Sequence, residues 1–102
     1  FAPFDFYIIP LGTESACLKL ATTLRQNGLN VDIDMTGRRL KKSLDFANKQ
    51  QIPYVIILGE NELKSGEISV KDMKTGKEYK LEAMLQKILN NKEFRVDIEE
   101  IM

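Results

Sequence analysis

The residues with the most obvious capacity for chemistry are cations that gather within a few positions. Gly37-Arg38-Arg39-Leu40-Lys41-Lys42 opens a segment with helical periodicity, and Arg38, Lys42, Asp45 and Lys49 then recur at three- and four-residue intervals, on the side opposite Leu40, Leu44 and Ala47. A helix start carries free backbone N–H groups and partial positive charge. Side-chain cations are therefore misplaced there for folding, each costing about 0.3–1 kcal/mol at low salt, yet well placed to bind an anion. Gly37 allows close approach to such a ligand. Two readings stand for this face: a solvated surface whose long stems shield the core, and an anion-binding surface.

Lys71, Lys74 and Lys77 bracket a turn further on, and Glu62 follows the apolar run Ile52 to Gly59 in a Gly59-Glu60-Asn61-Glu62 turn. Taken alone, Glu62 reads as a loop carboxylate paired with a lysine. A site for phosphate only would exclude it, whereas a site that reads bases would use a carboxylate to accept from exocyclic amino or ring N–H groups while cations hold the backbone. The carboxyl end of a central strand in an open α/β sheet is also where ligands favour binding.

Other chemistries lack their residues. The chain has no histidine and one cysteine, which excludes histidine-based triads and histidine zinc sites. Neither the G-x-x-x-x-G-K-[ST] nor the G-x-G-x-x-G phosphate signature is present. Asp32 and Asp34 alternate outward on a strand and read as solvated carboxylates, with no further aspartate ending the third strand to complete an acidic metal pocket. Cys17 falls on the apolar face of a helix and reads as a small core residue. Phe46, Tyr54 and Tyr79 have faces that could stack on bases, but each stands where core packing is expected, Phe46 least securely.

The elements that must position these groups follow from periodicity. Asp5 to Pro10 reads as a buried strand, Thr13 to Asn27 as an amphipathic helix with Thr13 as N-cap and Gly28 as its left-handed terminator, and Leu29 to Asp34 as an alternating strand near a sheet edge. A second helix is expected over about Gly37 to Gln50, and Ile52 to Gly59 as a central strand covered on both faces. Glu67 to Met73 and Lys77 to Leu81 flank Lys74-Thr75-Gly76 as a hairpin, and Leu81, Met84, Leu85 and Ile88 mark a third helix. The expected fold is a three-layer α/β/α domain with a five-stranded mixed sheet and three helices. It occupies residues 1–92, and residues 93–102 form a tail that either adds a strand or docks elsewhere.

Size and charge agree with a binding module. The chain has 102 residues, 43% hydrophobic and 29% charged, enough for one core. Its formal net charge is zero, but residues 1–35 carry −2, residues 36–92 carry +5 and residues 93–102 carry −3. One cysteine makes no internal disulfide, and no apolar run approaches the roughly 20 residues that span a bilayer. A cytoplasmic address without membrane contact is the expectation. No leader-like stretch is visible, and a start at Phe1-Ala2-Pro3 suggests a processed chain or a domain of a longer protein.

These residues carry a resemblance. Gly37-Arg38-Arg39-Leu40-Lys41-Lys42, Ala47, Ile52-Pro53-Tyr54-Val55-Ile56-Ile57-Leu58-Gly59, Glu62, Gly66, Val70-Lys71-Asp72-Met73 and Thr75-Gly76 together resemble the C-terminal anticodon-binding domain of class IIa aminoacyl-tRNA synthetases. The pattern covers roughly residues 5–90 and is most like that of histidyl-tRNA synthetases. The resemblance implies a five-stranded sheet with an antiparallel fourth strand. It also implies a tRNA anticodon stem-loop as partner, with a separate catalytic domain that uses ATP to attach histidine, in a parent that is a homodimer. By position it assigns anticodon contacts to Gly37, Arg38, Arg39, Lys42, Glu62 and Lys71, with no cofactor or metal in this domain. Asp45 and Asn48-Lys49-Gln50-Gln51 depart from the pattern at its rim. The anticodon domain of a glycyl-, threonyl- or prolyl-tRNA synthetase, and a regulatory paralogue that charges no tRNA, share the resemblance. A small carrier or receiver acting through Cys17 or Asp32 is the remaining expectation from another class.

Overall fold

The computed structural model describes residues 5–102; the start at Phe1-Ala2-Pro3 lies outside them. Ten elements follow in order: β1 (Phe6–Pro10), α1 (Glu14–Gln26), β2 (Val31–Ile33), α2 (Leu40–Lys49), β3 (Tyr54–Leu58), α3 (Glu60–Ser65), β4 (Ser69–Asp72), β5 (Glu78–Lys80), α4 (Leu81–Ile88) and α5 (Ile98–Ile101). The five strands form one sheet in the order β2-β1-β3-β4-β5. β1 lies parallel to β2 and β3, whereas β4 runs antiparallel to β3 and to β5. The mixed sheet, its central third strand and its antiparallel fourth strand are as the sequence predicts.

Alternation along the central strands divides the core. Phe6 and Ile8 of β1 pack with Ile56 and Leu58 of β3 beneath α1, α4 and α5, in a cluster that includes Cys17, Leu20, Leu24, Leu85 and Ile101. Tyr7, Ile9 and Val55 point the other way and meet Ala47 of α2, with Leu40, Leu44 and Phe46 packed around them. β1 is thus apolar on both faces because both are covered, which is why its sequence reads as a continuous run.

α1 ends where predicted. Gly28 (φ +83°) lets its own N–H reach Arg25 O at 3.0 Å while Leu29 N–H reaches Leu24 O at 3.2 Å, and these two bonds satisfy the last carbonyls of the helix. Thr13 holds the N-cap position of α1, but its hydroxyl donates to Leu58 O at 2.5 Å and thereby ties the helix start to β3.

Three features depart from expectation. The helices number five among the described residues rather than three. α3 replaces the turn expected after Gly59: the Glu62 carboxylate accepts from Gly59 N–H at 2.8 Å, and Gly66 (φ +76°) closes the other end. α2 begins at Leu40 with Arg39 as its N-cap, so Gly37 and Arg38 belong to the preceding loop. The tail adds no strand. It docks through Ile101, 2% exposed, while Gln86 Nε2 donates to Phe94 O at 2.9 Å and Val96 N–H to a Glu82 carboxylate oxygen at 2.9 Å.

The two sheet faces are not equally covered. α2 lies over β1 and β3, whereas Lys71 of β4, in register between Val55 and Glu78, is only half-buried and lines an open depression. Ile57, expected to be covered on that side, is likewise only half-buried.

Candidate nucleic-acid interface

The loop between β2 and α2 is built around Asp34. Sequence parity sets this residue outward with Asp32, yet it is 6% exposed, because β2 ends at Ile33 and the chain turns inward. Its backbone N–H donates to Ile8 O at 2.8 Å. One carboxylate oxygen accepts from Thr36 N–H at 2.9 Å and from the Thr36 hydroxyl at 2.5 Å, and the other from Arg38 Nε at 3.4 Å. The Thr36 hydroxyl in turn accepts from Arg38 N–H at 3.3 Å. Gly37 (φ +70°) provides the left-handed turn between them; the space about its Cα is open, so its backbone conformation rather than close packing selects glycine.

Burial alone would push the Asp34 carboxyl up. The nearby hydroxyl of Ser43, the hydroxyl and amide of Thr36, and Tyr7 outweigh burial and hold it well below the usual carboxylate range. The Ser43 hydroxyl is itself fully buried, and no atom among the described residues stands in hydrogen-bond geometry with it.

Arg38 is consequently a fixed side chain and not one of a stripe of solvated cations. Its Nη2 donates to the Tyr7 hydroxyl at 3.4 Å, and its Cζ lies 4.6 Å from the centroid of the Phe46 ring. Phe46 and Tyr7 meet at 5.5 Å between centroids. The Arg38 side chain remains 31% exposed. The charge that looked misplaced for folding therefore has a folding role, as the counter-charge of a buried aspartate.

Of the six predicted site residues, the structure brings four together, in two pairs. Gly37 and Arg38 line a small cavity of about 90 Å³ with Asp34, Met35 and Ser43. Glu62 and Lys71 line a larger depression of about 350 Å³ on the open sheet face, with Val55, Ile57, Ser69 and Glu78. Arg39 and Lys42 line neither; both are exposed and make no ion pair among the described residues. Glu62 forms no ion pair among the described residues, and its Oε1 accepts from Gly59 N–H at the start of α3. Lys74 and Lys77 are exposed at the hairpin, where the Asp72 carboxylate accepts from Lys74 N–H at 2.8 Å.

The aromatic side chains divide as well. Tyr54 stacks on Phe6 at 5.5 Å and is half-buried, but Tyr79, expected in the core, is 43% exposed at the sheet edge. Sequence reasoning missed Asp34, Thr36 and Tyr7 as the supports of Arg38. The signal was present in Asp34-Met35-Thr36-Gly37, since an aspartate two residues before a threonine and three before a glycine forms a side-chain-closed turn. Cys17 is fully buried, its Sγ 3.5 Å from the Thr13 hydroxyl, and burial pushes its thiol up. Asp32 is half-buried and accepts from the adjacent Ile33 N–H. No group of three or more His, Cys, Asp or Glu side chains among the described residues could hold a metal ion. No helix among them is long and apolar enough to cross a membrane.

A mixed five-stranded sheet with helices on both faces, a partly exposed depression beside its fourth strand and a cationic helix start define an α/β domain. The anticodon binding domain family matches residues 5–91, and the chain belongs to that family. Histidine-tRNA ligases are among the relatives it matches. Histidine-tRNA ligase 1 of Bacillus cereus is 47% identical over 78 residues, which are 76% of this chain and 18% of that protein. The histidine-tRNA ligase of Methanococcus maripaludis is 46% identical over 90 residues, 84% of this chain and 21% of that protein. The chain thus spans about a fifth of the length of the relatives it matches. The crystal structure of a histidyl-tRNA synthetase from a Nostoc species superposes with a TM-score of 0.75 at 30% identity, covering 87% of this chain and 21% of that one. A prolyl-tRNA synthetase from Giardia lamblia shares the fold, with a TM-score of 0.69 at 23% identity.

Proposed function

We propose that this chain recognises the anticodon stem-loop of a histidine tRNA, as the C-terminal domain of a histidine-tRNA ligase whose remaining length holds the catalytic domain. In that reading ATP and histidine belong to the absent catalytic part, this domain needs no cofactor, and the parent is a cytoplasmic homodimer. Arg39 and Lys42 are the phosphate contacts, Arg38 and Glu62 face bases, Gly37 shapes the loop, and Lys71 holds the backbone of an RNA laid on the open sheet. The observation that carries the reading is the open depression beside β3 and β4 that Glu62 and Lys71 share, in a chain whose matched relatives include histidine-tRNA ligases.

The chemistry is consistent with RNA in a single-stranded loop. Unpaired bases offer hydrogen-bonding edges to a carboxylate such as Glu62 and faces to apolar or planar groups, whereas the sugar-phosphate chain needs exposed cations. The test is a titration of the chain with a histidine-tRNA anticodon stem-loop, and with stem-loops of other tRNAs, across a salt series. Preferred binding of the histidine stem-loop is expected. Arg39→Ala and Lys42→Ala are each expected to weaken binding and to reduce the salt slope by about one. Salt-independent affinity, or affinity indifferent to both substitutions, would overturn the assignment.

A further inference from the structure

Asp34 is the one nearly fully buried charge among the described residues, and the hydrogen bonds of its carboxylate all serve the segment that presents Arg38. The guanidinium it holds is pinned on three sides: Nε on Asp34, Nη2 on Tyr7, and one flat face over Phe46. Nη1 makes no hydrogen bond among the described residues, and the side chain is 31% exposed. What remains available is therefore the outer flat face and one free edge. A phosphate contact needs neither a stacked nor a pinned cation, and exposed Arg39 and Lys42 stand beside it for that purpose. A planar guanidinium backed by an aromatic ring matches instead the face of an unpaired nucleobase, which stacks on such planes.

We infer that Arg38 is a stacking platform for one base of the bound RNA loop, its guanidinium lying between that base and Phe46, and that Asp34 is the positioning residue that keeps the platform flat and aimed outward. This rests on the anticodon-binding reading above and adds to it the mode of contact and a residue that touches no RNA. The base is held by its π face on the outer side of the guanidinium. The stack is tolerant of base identity, and specificity comes from Glu62 and the rest of the sheet face. Because the Arg38 charge is already balanced by Asp34, its contact releases few counterions.

The test uses the whole chain and a histidine-tRNA anticodon stem-loop in which single loop bases are replaced, one at a time, by the fluorescent adenine analogue 2-aminopurine, whose emission is quenched by stacking. One loop position is expected to be quenched on binding through Arg38. Arg38→Lys retains the charge and lacks the plane. It is expected to restore the emission at that position only, to weaken binding about five- to tenfold, and to leave the salt slope unchanged. Asp34→Asn is expected to restore emission at the same position, and the double variant to bind no more weakly than Arg38→Lys alone, because Asp34 acts through Arg38. Arg39→Ala, by contrast, lowers the salt slope and leaves the quenching in place.

If the wild-type chain binds the stem-loop but no loop position depends on Arg38→Lys, the platform is refuted and RNA binding stands. Additive losses from Asp34→Asn and Arg38→Lys refute the positioning role of Asp34. If the wild-type chain binds no stem-loop, both readings fall together. Circular dichroism and the melting temperature of each variant separate loss of the platform from loss of the fold, and Arg38→Lys, at a partly exposed position, serves where Asp34→Asn does not fold.

Discussion

Replacing Asp34 by asparagine isolates the electrostatic value of the β2–α2 loop. Asparagine is nearly isosteric, so packing is preserved, and its carbonyl oxygen can still accept the two bonds from Thr36. What changes is the other oxygen: an amide NH2 now faces the Arg38 guanidinium, donor against donor, and the carboxylate's charge disappears from a site in which four hydroxyl or amide groups favour it. Net charge-assisted hydrogen bonds contribute about 1.5–3 kcal/mol each. Because Arg38 is partly exposed and water can rejoin its guanidinium, a loss near 2 kcal/mol at pH 7 is expected, roughly 8–16 °C in melting temperature for a domain of this size.

The pH dependence has a definite sign. The carboxyl is held below its unfolded value of about 3.9, so the unfolded chain binds its proton first as acid is added. The stabilisation is fully present above about pH 4 and is lost progressively as pH falls toward the lower folded value. Urea unfolding followed by circular dichroism at pH 7 and at pH 2.5 measures it. The gap between wild type and Asp34→Asn should be widest at pH 7 and narrower at pH 2.5. A gap below about 0.5 kcal/mol at pH 7, or one that does not change with pH, would refute the argument that this buried charge organises the loop.

Two further outcomes follow from packing. Cys17 is fully buried and its thiol is pushed up by burial, so a thiol reagent should label it only through opening of the native state, with a rate that climbs with urea; prompt labelling of the native chain would contradict its placement. Ile101→Ala removes the side chain by which α5 enters the core beneath α1 and should lower stability by about 2 kcal/mol, read as a lower urea midpoint with an unchanged slope; an unmoved midpoint would mean that the tail is not docked in solution.

The parts of the fold that were legible in the sequence are those with a periodic apolar signal. β1 and β3 are apolar runs because they lie mid-sheet, and α1 repeats Cys17, Leu20, Ala21 and Leu24 against them before ending at Gly28. α3 has a single apolar side chain, Leu63, and therefore no stripe to detect; capping by Glu62 and the left-handed Gly66 make it a helix. α5 is too short at four residues for any period to register. The cationic segment was legible as chemistry but misread in its mechanics. Parity along β2 assigns Asp34 to solvent, and parity ceases to apply one residue earlier, where the strand ends. With Asp34 outside, Arg38 looked like surplus charge on a helix, whereas with Asp34 inside it is a fixed plane. Tyr79 follows the same logic in reverse, since it pairs with buried Val70 but on the outermost strand, where no further element covers it.

The order β2-β1-β3-β4-β5 leaves two borders of the sheet with unpaired backbone groups, and each border strand is only three residues long. β5 presents Glu78 and Lys80 beside Tyr79, with Lys77 just before it, and β2 presents Asp32. A strand arriving from another molecule would find few consecutive partners and would have to desolvate charge to reach them. The same shortness that makes the borders weak contributors to stability thus keeps the sheet from extending itself into a larger one.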